Sequence, residues 1–251
     1  MSKRVLVINP NTSETVTEIV LRFCRLAQPD LDWQGATSRL GAPYISNEAA
    51  CAIAAHAVLE TYADHHDGHE AVLIACFGDP GLLALREIAT VPVVGLAQAS
   101  FEAAAARGRF AVVTGGFAWG PMLHRFARLH QLDAQLVGVQ TVDLTGAQIA
   151  AAPDRALDAL LAAALQGVAA GAQTIVLGGA ALGGLAQRLQ RDVPVPVLDN
   201  ITLAAQAVAR VLSAARTERE PPSSYGAMSG IGVALTRLLA GAPDGPVRTC
   251  R

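Results

Sequence analysis

This sequence predicts an α/β fold of two similar lobes around one cleft, on three observations. Short apolar, β-rich runs alternate with segments of helical periodicity. Four of the runs end abruptly in small, polar or glycine residues. Those four ends fall into two halves of the chain that repeat the same construction.

Strands are expected over Val5–Ile8, Ala71–Ala75, Phe110–Val113, Gln135–Val139, Thr174–Leu177 and Val195–Leu198. Strand and helix in alternation imply parallel pairing, with helices covering both faces of a sheet. The clearest helix carries Leu157, Leu160, Leu161, Ala164, Leu165 and Val168 at the spacing of one apolar face, and Gly171 stops it. Alanine-rich segments at Ala103–Ala106 and Ala204–Ala209 are good helix formers whose small side chains allow close packing on a sheet. Pro221-Pro222-Ser223-Ser224 reads as a linker to a last helix, about Gly230–Ala240, expected to pack back on the first lobe. The division expected is residues 1–100 with 212–251 as the first lobe and 101–211 as the second.

Length and composition bound the function. A chain of 251 residues can bury a full core. Its net charge of −2, with 16% charged residues and no block of like charge, gives no electrostatic footprint for nucleic acid or an anionic membrane. No apolar stretch reaches the roughly 18–20 residues that span a bilayer. The opening Met-Ser-Lys-Arg-Val-Leu-Val-Ile holds an apolar run too short for a signal-peptide core, so a cytoplasmic location is expected. A small-molecule partner is the expectation, and a 52% apolar composition in compact α/β lobes favours a homo-oligomer.

Cys24, Cys51, Cys76 and Cys250 show neither C-x-x-C nor metal-ligand spacing, so disulfides and structural metal are not expected. His65, His66 and His69, with Asp64 and Asp67, form a polar cluster that reads as a solvated helix end before the next strand rather than a ligand set. Cys24 and Cys51 sit in helical patterns among apolar neighbours and read as core. Gly226-Ala-Met-Ser-Gly230-Ile-Gly232 follows a polar linker and no strand, so it reads as a helix entry and not as a dinucleotide fingerprint.

The four strand ends are Asn9-Pro-Asn11-Thr12, Cys76-Phe77-Gly78-Asp79, Thr114-Gly115-Gly116 and Gly178-Gly179-Ala180. Open α/β sheets bind ligands in the crevice beyond the carboxyl ends of their strands, so these turns are the expected site. Each half supplies two of them, and the position equivalent to Cys76 is Gly179. Asp79 is either a group supporting Cys76 or a helix cap.

At these turns the chain resembles the Asp/Glu/hydantoin racemase superfamily, in its hydantoin and allantoin racemase branch. The matching stretches include Ile8-Asn9-Pro10-Asn11-Thr12, Gly41-Ala-Pro-Tyr44-Ile45, Ala75-Cys76-Phe77-Gly78-Asp79-Pro80-Gly81, Val91-Pro-Val-Val-Gly95, Ile175-Val-Leu-Gly178 and Val193-Pro-Val-Pro-Val-Leu-Asp199. They span most of residues 4–240. The resemblance implies two similar lobes, each a parallel four-stranded sheet flanked by helices, related by a pseudo-twofold axis through a central cleft. It also implies a cofactor-independent isomerase that moves the α-proton of an amino acid, hydantoin, allantoin or related carboxylate. Two cysteines on opposite faces of the carbon would serve, since inversion needs proton removal from one side and delivery from the other. Cys76, ahead of an expected Asp79–Ile88 helix, would have a lowered pKa. Asn11, Thr12, Thr114 and Gly115 would hold the enolate, with Tyr44, Phe77, Gly78, Gly116, Gly178 and Ala180 completing the substrate site.

The departure from this pattern is Gly179, where the second cysteine would fall. A glycine has no side chain to carry a proton. Another acid on that face (water, Tyr44 or a histidine), a reaction needing one donor, or loss of activity would each accommodate it. Arylmalonate decarboxylases of the same superfamily use one thiol, placed in the second half. A one-thiol lyase here would therefore protonate the opposite face, and a non-catalytic binding member is the remaining alternative.

Overall fold

The structure is a computed structural model that describes residues 2–214, 225–226 and 228–240. The Pro221–Ser224 linker and Cys250 lie outside the described residues. The first sheet is built from β1 (Arg4–Asn9), β2 (Asp32–Thr37), β3 (Ala71–Ile74) and β4 (Val93–Gly95), all parallel, in the order β2-β1-β3-β4. The second is built from β5 (Phe110–Gly115), β6 (Leu136–Val142), β7 (Thr174–Leu177) and β8 (Val197–Asp199), also parallel, in the order β6-β5-β7-β8. The same four-strand plan is used twice.

Parallel strands cannot be joined by tight turns, so each crossover carries a helix. In the first half these are α1 (Glu14–Ala27), α2 (Glu48–His65) and α3 (Leu82–Ile88), followed by α4 (Leu96–Ala105). In the second half they are α5 (Trp119–Leu129), α6 (Gly146–Ala151), α7 (Pro153–Ala169) and α8 (Ala186–Leu189), followed by α9 (Asn200–Ser213). The central strands β1, β3, β5 and β7 are buried on both faces, which is why they read as continuous apolar runs. β2 and β4 escaped the periodicity reading. Asp-Trp-Gln-Gly-Ala-Thr is an edge strand in which only Trp33 and Ala36 are buried, and β4 is three residues long.

β6 and β8 are displaced from their expected ranges, to Leu136–Val142 and Val197–Asp199. On α7, Ala156, Leu160, Ala163 and Ala164 are buried as the apolar stripe requires, but Leu165 is 42% exposed. It lies at the edge of the stripe, beyond the reach of the sheet. The histidine cluster is the end of α2, which stops at His65.

One core joins the halves. α4 packs on α9, and both reach the opposite sheet: α4 meets β7 and β8, α9 meets β3 and β4. A single apolar cluster accordingly contains Val5, Leu73, Phe77 and Phe101 together with Phe110, Val112, Val176 and Ile201. The last helix, α10 (Val233–Ala240), starts three residues later than expected and lies on α2, burying Leu235 and Leu239 beside Val58 and Tyr62. Glu60 Oε1 accepts from Gly232 N there at 2.7 Å.

Candidate active site

The strand ladders bring the four turns to one edge. Ile8 pairs with Ile74, and Val113 with Leu177. One step later Ala75 N donates to Ile8 O at 2.8 Å, and Gly178 N donates to Val113 O at 2.9 Å. Cys76 and Gly179, the next residues, therefore leave their sheets at corresponding points. Between the halves lies a cavity of about 310 Å³ whose wall includes Asn11, Tyr44, Cys76, Phe77, Thr114, Gly115, Gly179 and Ala180.

Thr12, Gly78, Gly116 and Gly178, also expected at the site, stand behind that wall. Thr12 N donates to Ala42 O at 3.1 Å, and Gly116 N to Val142 O at 3.0 Å. A Cβ on Gly178 would come within 2.3 Å of the Phe77 ring, and one on Gly78 within 2.5 Å of the Trp119 ring. These glycines let the lining aromatics lie flat against the backbone.

Further wall residues were not singled out from sequence: Ser13, Thr15, Val16, Pro43, Ile45, Trp119, Gly146 and Leu182 are among them. Ser13, Thr15 and Val16 come from the start of α1, while Pro43 and Ile45 come from the β2–α2 loop and Trp119 from α5, which belong to different halves. Tyr44 Oη donates to Gly115 O at 3.1 Å and Trp119 Nε1 donates to Ile45 O at 3.2 Å, stitching the loop of one half to the other. On the outside, Arg125 of α5 forms a two-pronged ion pair with Glu48 of α2. The adjacent Gly41-Ala-Pro-Tyr44 stretch was a readable signal for the loop; nothing local marks Trp119.

The polar wall is neutral. Asn9 is fully buried, and its amide donates to Asn11 Oδ1 and Ser13 O, both at 2.9 Å. Ser13 N also donates to Asn11 Oδ1, at 2.8 Å. With its carbonyl end so occupied, Asn11 keeps its NH2 as the donor available to a ligand, the assignment that the hydrogen-bond network requires. Thr114, Ser13 and Thr15 add hydroxyls. Among the described residues of the wall there is no lysine, arginine, histidine, aspartate or glutamate.

Cys76 departs from the electrostatic expectation. α3 begins only at Leu82, after Gly81 in a left-handed conformation, so no helix N-terminus faces the thiol. Cys76 is 7% exposed, and burial pushes its pKa well above the ordinary thiol value, with Cys51 and Asp79 adding to the rise. The resting form is the neutral thiol. Cys51, expected in the core, is instead half-buried near the surface. Cys24 is core, with its pKa raised by burial and the charge of Asp199.

Of the two roles expected of Asp79, the helix cap is present. It caps a helix, but α4 rather than α3: Oδ1 accepts from Ala97 N at 2.8 Å and Oδ2 from Gln98 N at 2.7 Å. Burial raises its pKa to about 7 against the pull of those amides and of Arg86.

The model of the family described as Asp/Glu/Hydantoin racemase matches residues 5–208. The chain belongs to the Asp/Glu/hydantoin racemase family. The hydantoin racemase of Rhizobium meliloti is 32% identical over 83% of this chain and 88% of its own. The hydantoin racemase of Paenarthrobacter aurescens is 30% identical over 88% of this chain and 96% of its own. Among solved structures, allantoin racemase from Klebsiella pneumoniae superposes with a TM-score of 0.80 at 30% identity, covering 90% of this chain and 97% of that one. The two-lobed architecture of this racemase family is thus the one seen here, with two parallel four-stranded sheets flanked by helices. Among the described residues no helix is long and apolar enough to cross a membrane.

Proposed function

We propose that this member of the racemase family moves the α-proton of a neutral cyclic ureide, of the hydantoin or allantoin kind, with Cys76 as its one thiol and without a cofactor. The observation that carries the reading is the pairing of Cys76 with Gly179 at corresponding points of the two ladders, both lining one cavity. Gly179 stands where a two-thiol site would place its second cysteine. Its φ of +138° is one that side-chain-bearing residues rarely adopt, and a Cβ there would meet Leu182 Cδ1 at 2.9 Å.

The wall supports an uncharged substrate. Asn11 NH2 and the hydroxyls of Thr114, Ser13 and Thr15 can hold a carbonyl that turns into an enolate, while no cationic side chain of the described wall waits for a carboxylate. That favours a cyclic imide over a dicarboxylate, and so over the malonate needed by a one-thiol lyase. The protic side-chain group beside the Gly179 position is Thr114, whose Oγ1 lies 3.9 Å from where a Cβ on Gly179 would be. A water held by Thr114 is then the slow proton donor on that face, and exchange at the Cys76 face outruns inversion.

The test is alkylation. Iodoacetamide should label Cys76 in the folded chain, and 5-substituted hydantoins should protect it, while glutamate and malonates should not. A Cys76 that is inert in the folded chain, or unprotected by any ureide, would instead favour a binding protein without this chemistry.

A further inference from the structure

The Cys76 turn is held from outside the cavity by a buried carboxylate. Asp79 is a non-glycine residue in the left-handed region, at φ +49°, and its N–H donates back to Cys76 O at 3.1 Å. A strained conformation of this kind persists only where its surroundings over-determine it. Here the surroundings are the first turn of α4, whose Ala97 and Gln98 amides both end on the carboxylate. Gly95 is part of the same device: a Cβ at that position would lie 2.2 Å from Asp79 Oδ2. Since α4 is the helix that packs against the second half, Asp79 fastens the thiol-bearing turn to the joint between the halves.

We propose that Asp79 is a positioning residue for Cys76, strapping its turn to α4 and sharing one negative charge with the thiol. The proposal rests on the reading of Cys76 as the working thiol. The step is a proton exchange and nothing else: Cys76–SH and Asp79–COO⁻ become Cys76–S⁻ and Asp79–COOH, with the proton passing through solvent. The turn borders solvent on its outer side, where Gly78 and Asp79 line a groove between α3 and α5 together with Leu83, Phe126 and His130. The groups facing the pair are Cys51 from α2, Arg86 from α3, His130 at the end of α5 and Tyr44 across the cavity; α4 presents backbone amides. Burial of both members makes two simultaneous charges costly, so their titrations are coupled. Asp79, titrating near 7, is the member that yields.

The experiment is the pH dependence of Cys76 carbamidomethylation by iodoacetamide in the full chain, read by mass spectrometry between pH 5 and 10, for the wild type and Asp79→Asn. The thiolate reacts, so wild-type labelling should rise about tenfold per pH unit up to about 7, level off as Asp79 ionises, and rise again at higher pH. Asp79→Asn, which retains His130, should climb without the plateau and exceed the wild-type rate above pH 7. A role confined to holding the turn would lower the melting temperature without moving this profile. An unbroken wild-type profile overturns the proposal even where the variant does not fold, and so does a plateau that survives in Asp79→Asn. In both results Cys76 still reacts, so the proposed function stands. Wild-type Cys76 that resists labelling at every pH, while the unfolded chain labels, removes that function and this proposal together.

Discussion

The two halves of this molecule share a sheet order and a ladder register, and differ at the residues that follow. After β3 comes Cys76 with Asp79 behind it; after β7 comes Gly179, with Leu182 in the space a side chain would need. The helix caps differ in the same sense. In the first half the cap of α4 is Gly95, and Asp79 reaches in from the thiol turn. In the second half the cap of α9 is Asp199 itself, which accepts from Thr202 N and Gly184 N, both at 2.9 Å. Each helix start receives a carboxylate, as orphan amides and the helix dipole favour. Only in the first half does that carboxylate come from the turn that carries the thiol. The scaffold is repeated, whereas the thiol and a carboxylate on the same turn occur on one side.

The comparison breaks most sharply at Cys76. Cys76→Ala should lower kcat for α-proton exchange by roughly 10²–10⁴-fold, the usual worth of a positioned acid–base group, with the melting temperature little changed. A variant that keeps its exchange rate would move the chemistry elsewhere.

Next in size is the cost of ionising Asp79. Its folded-state pKa of about 7 lies above the ordinary carboxyl value of 3.8. The folded chain holds this proton more tightly than the unfolded one, so the stability contribution is full below 3.8 and is lost as pH rises through about 7. Denaturant unfolding should show a loss on the order of 4 kcal/mol from this group across that window, absent in Asp79→Asn. A pH dependence identical in both chains would mean that the carboxylate is not desolvated.

Gly179→Cys asks whether the second half can carry a thiol. The backbone at +138° and the contact with Leu182 predict a destabilisation of about 1–3 kcal/mol, a fall of several degrees in Tm, and no gain in inversion rate. A stable, faster-racemising Gly179→Cys chain would show that the glycine is incidental to the fold. Smallest is Tyr44→Phe. Losing the hydrogen bond to Gly115 O should cost about 0.5–1.5 kcal/mol and raise KM more than it lowers kcat, because the bond holds the loop closed over the cavity.

Much of this was legible in the sequence, for a physical reason. Strands buried on both faces, such as Val5–Ile8 and Thr174–Leu177, print their burial directly as apolar runs, and the Cys76–Gly179 correspondence follows from counting along them. Edge strands and contacts between halves print no such pattern. Trp33 and Ala36 alone do not make β2 visible, and Trp119 reaches the site only through a partner 74 residues away. The electrostatics were read wrongly because they depend on three-dimensional neighbours. Asp79 precedes a helical pattern and so looked like its cap, yet its partners are amides 18 and 19 residues on. Without a helix start at Cys76, burial decides the thiol's pKa and reverses the expected direction.

The most direct test of one-sided chemistry follows a single enantiomer of a 5-substituted hydantoin in D2O, with deuterium uptake at C5 read by NMR and inversion by chiral chromatography, both above the buffer rate. One thiol facing a glycine predicts uptake with retention outrunning inversion, and loss of both in Cys76→Ala. Inversion that keeps pace with deuterium uptake, or exchange that survives in Cys76→Ala, would contradict it.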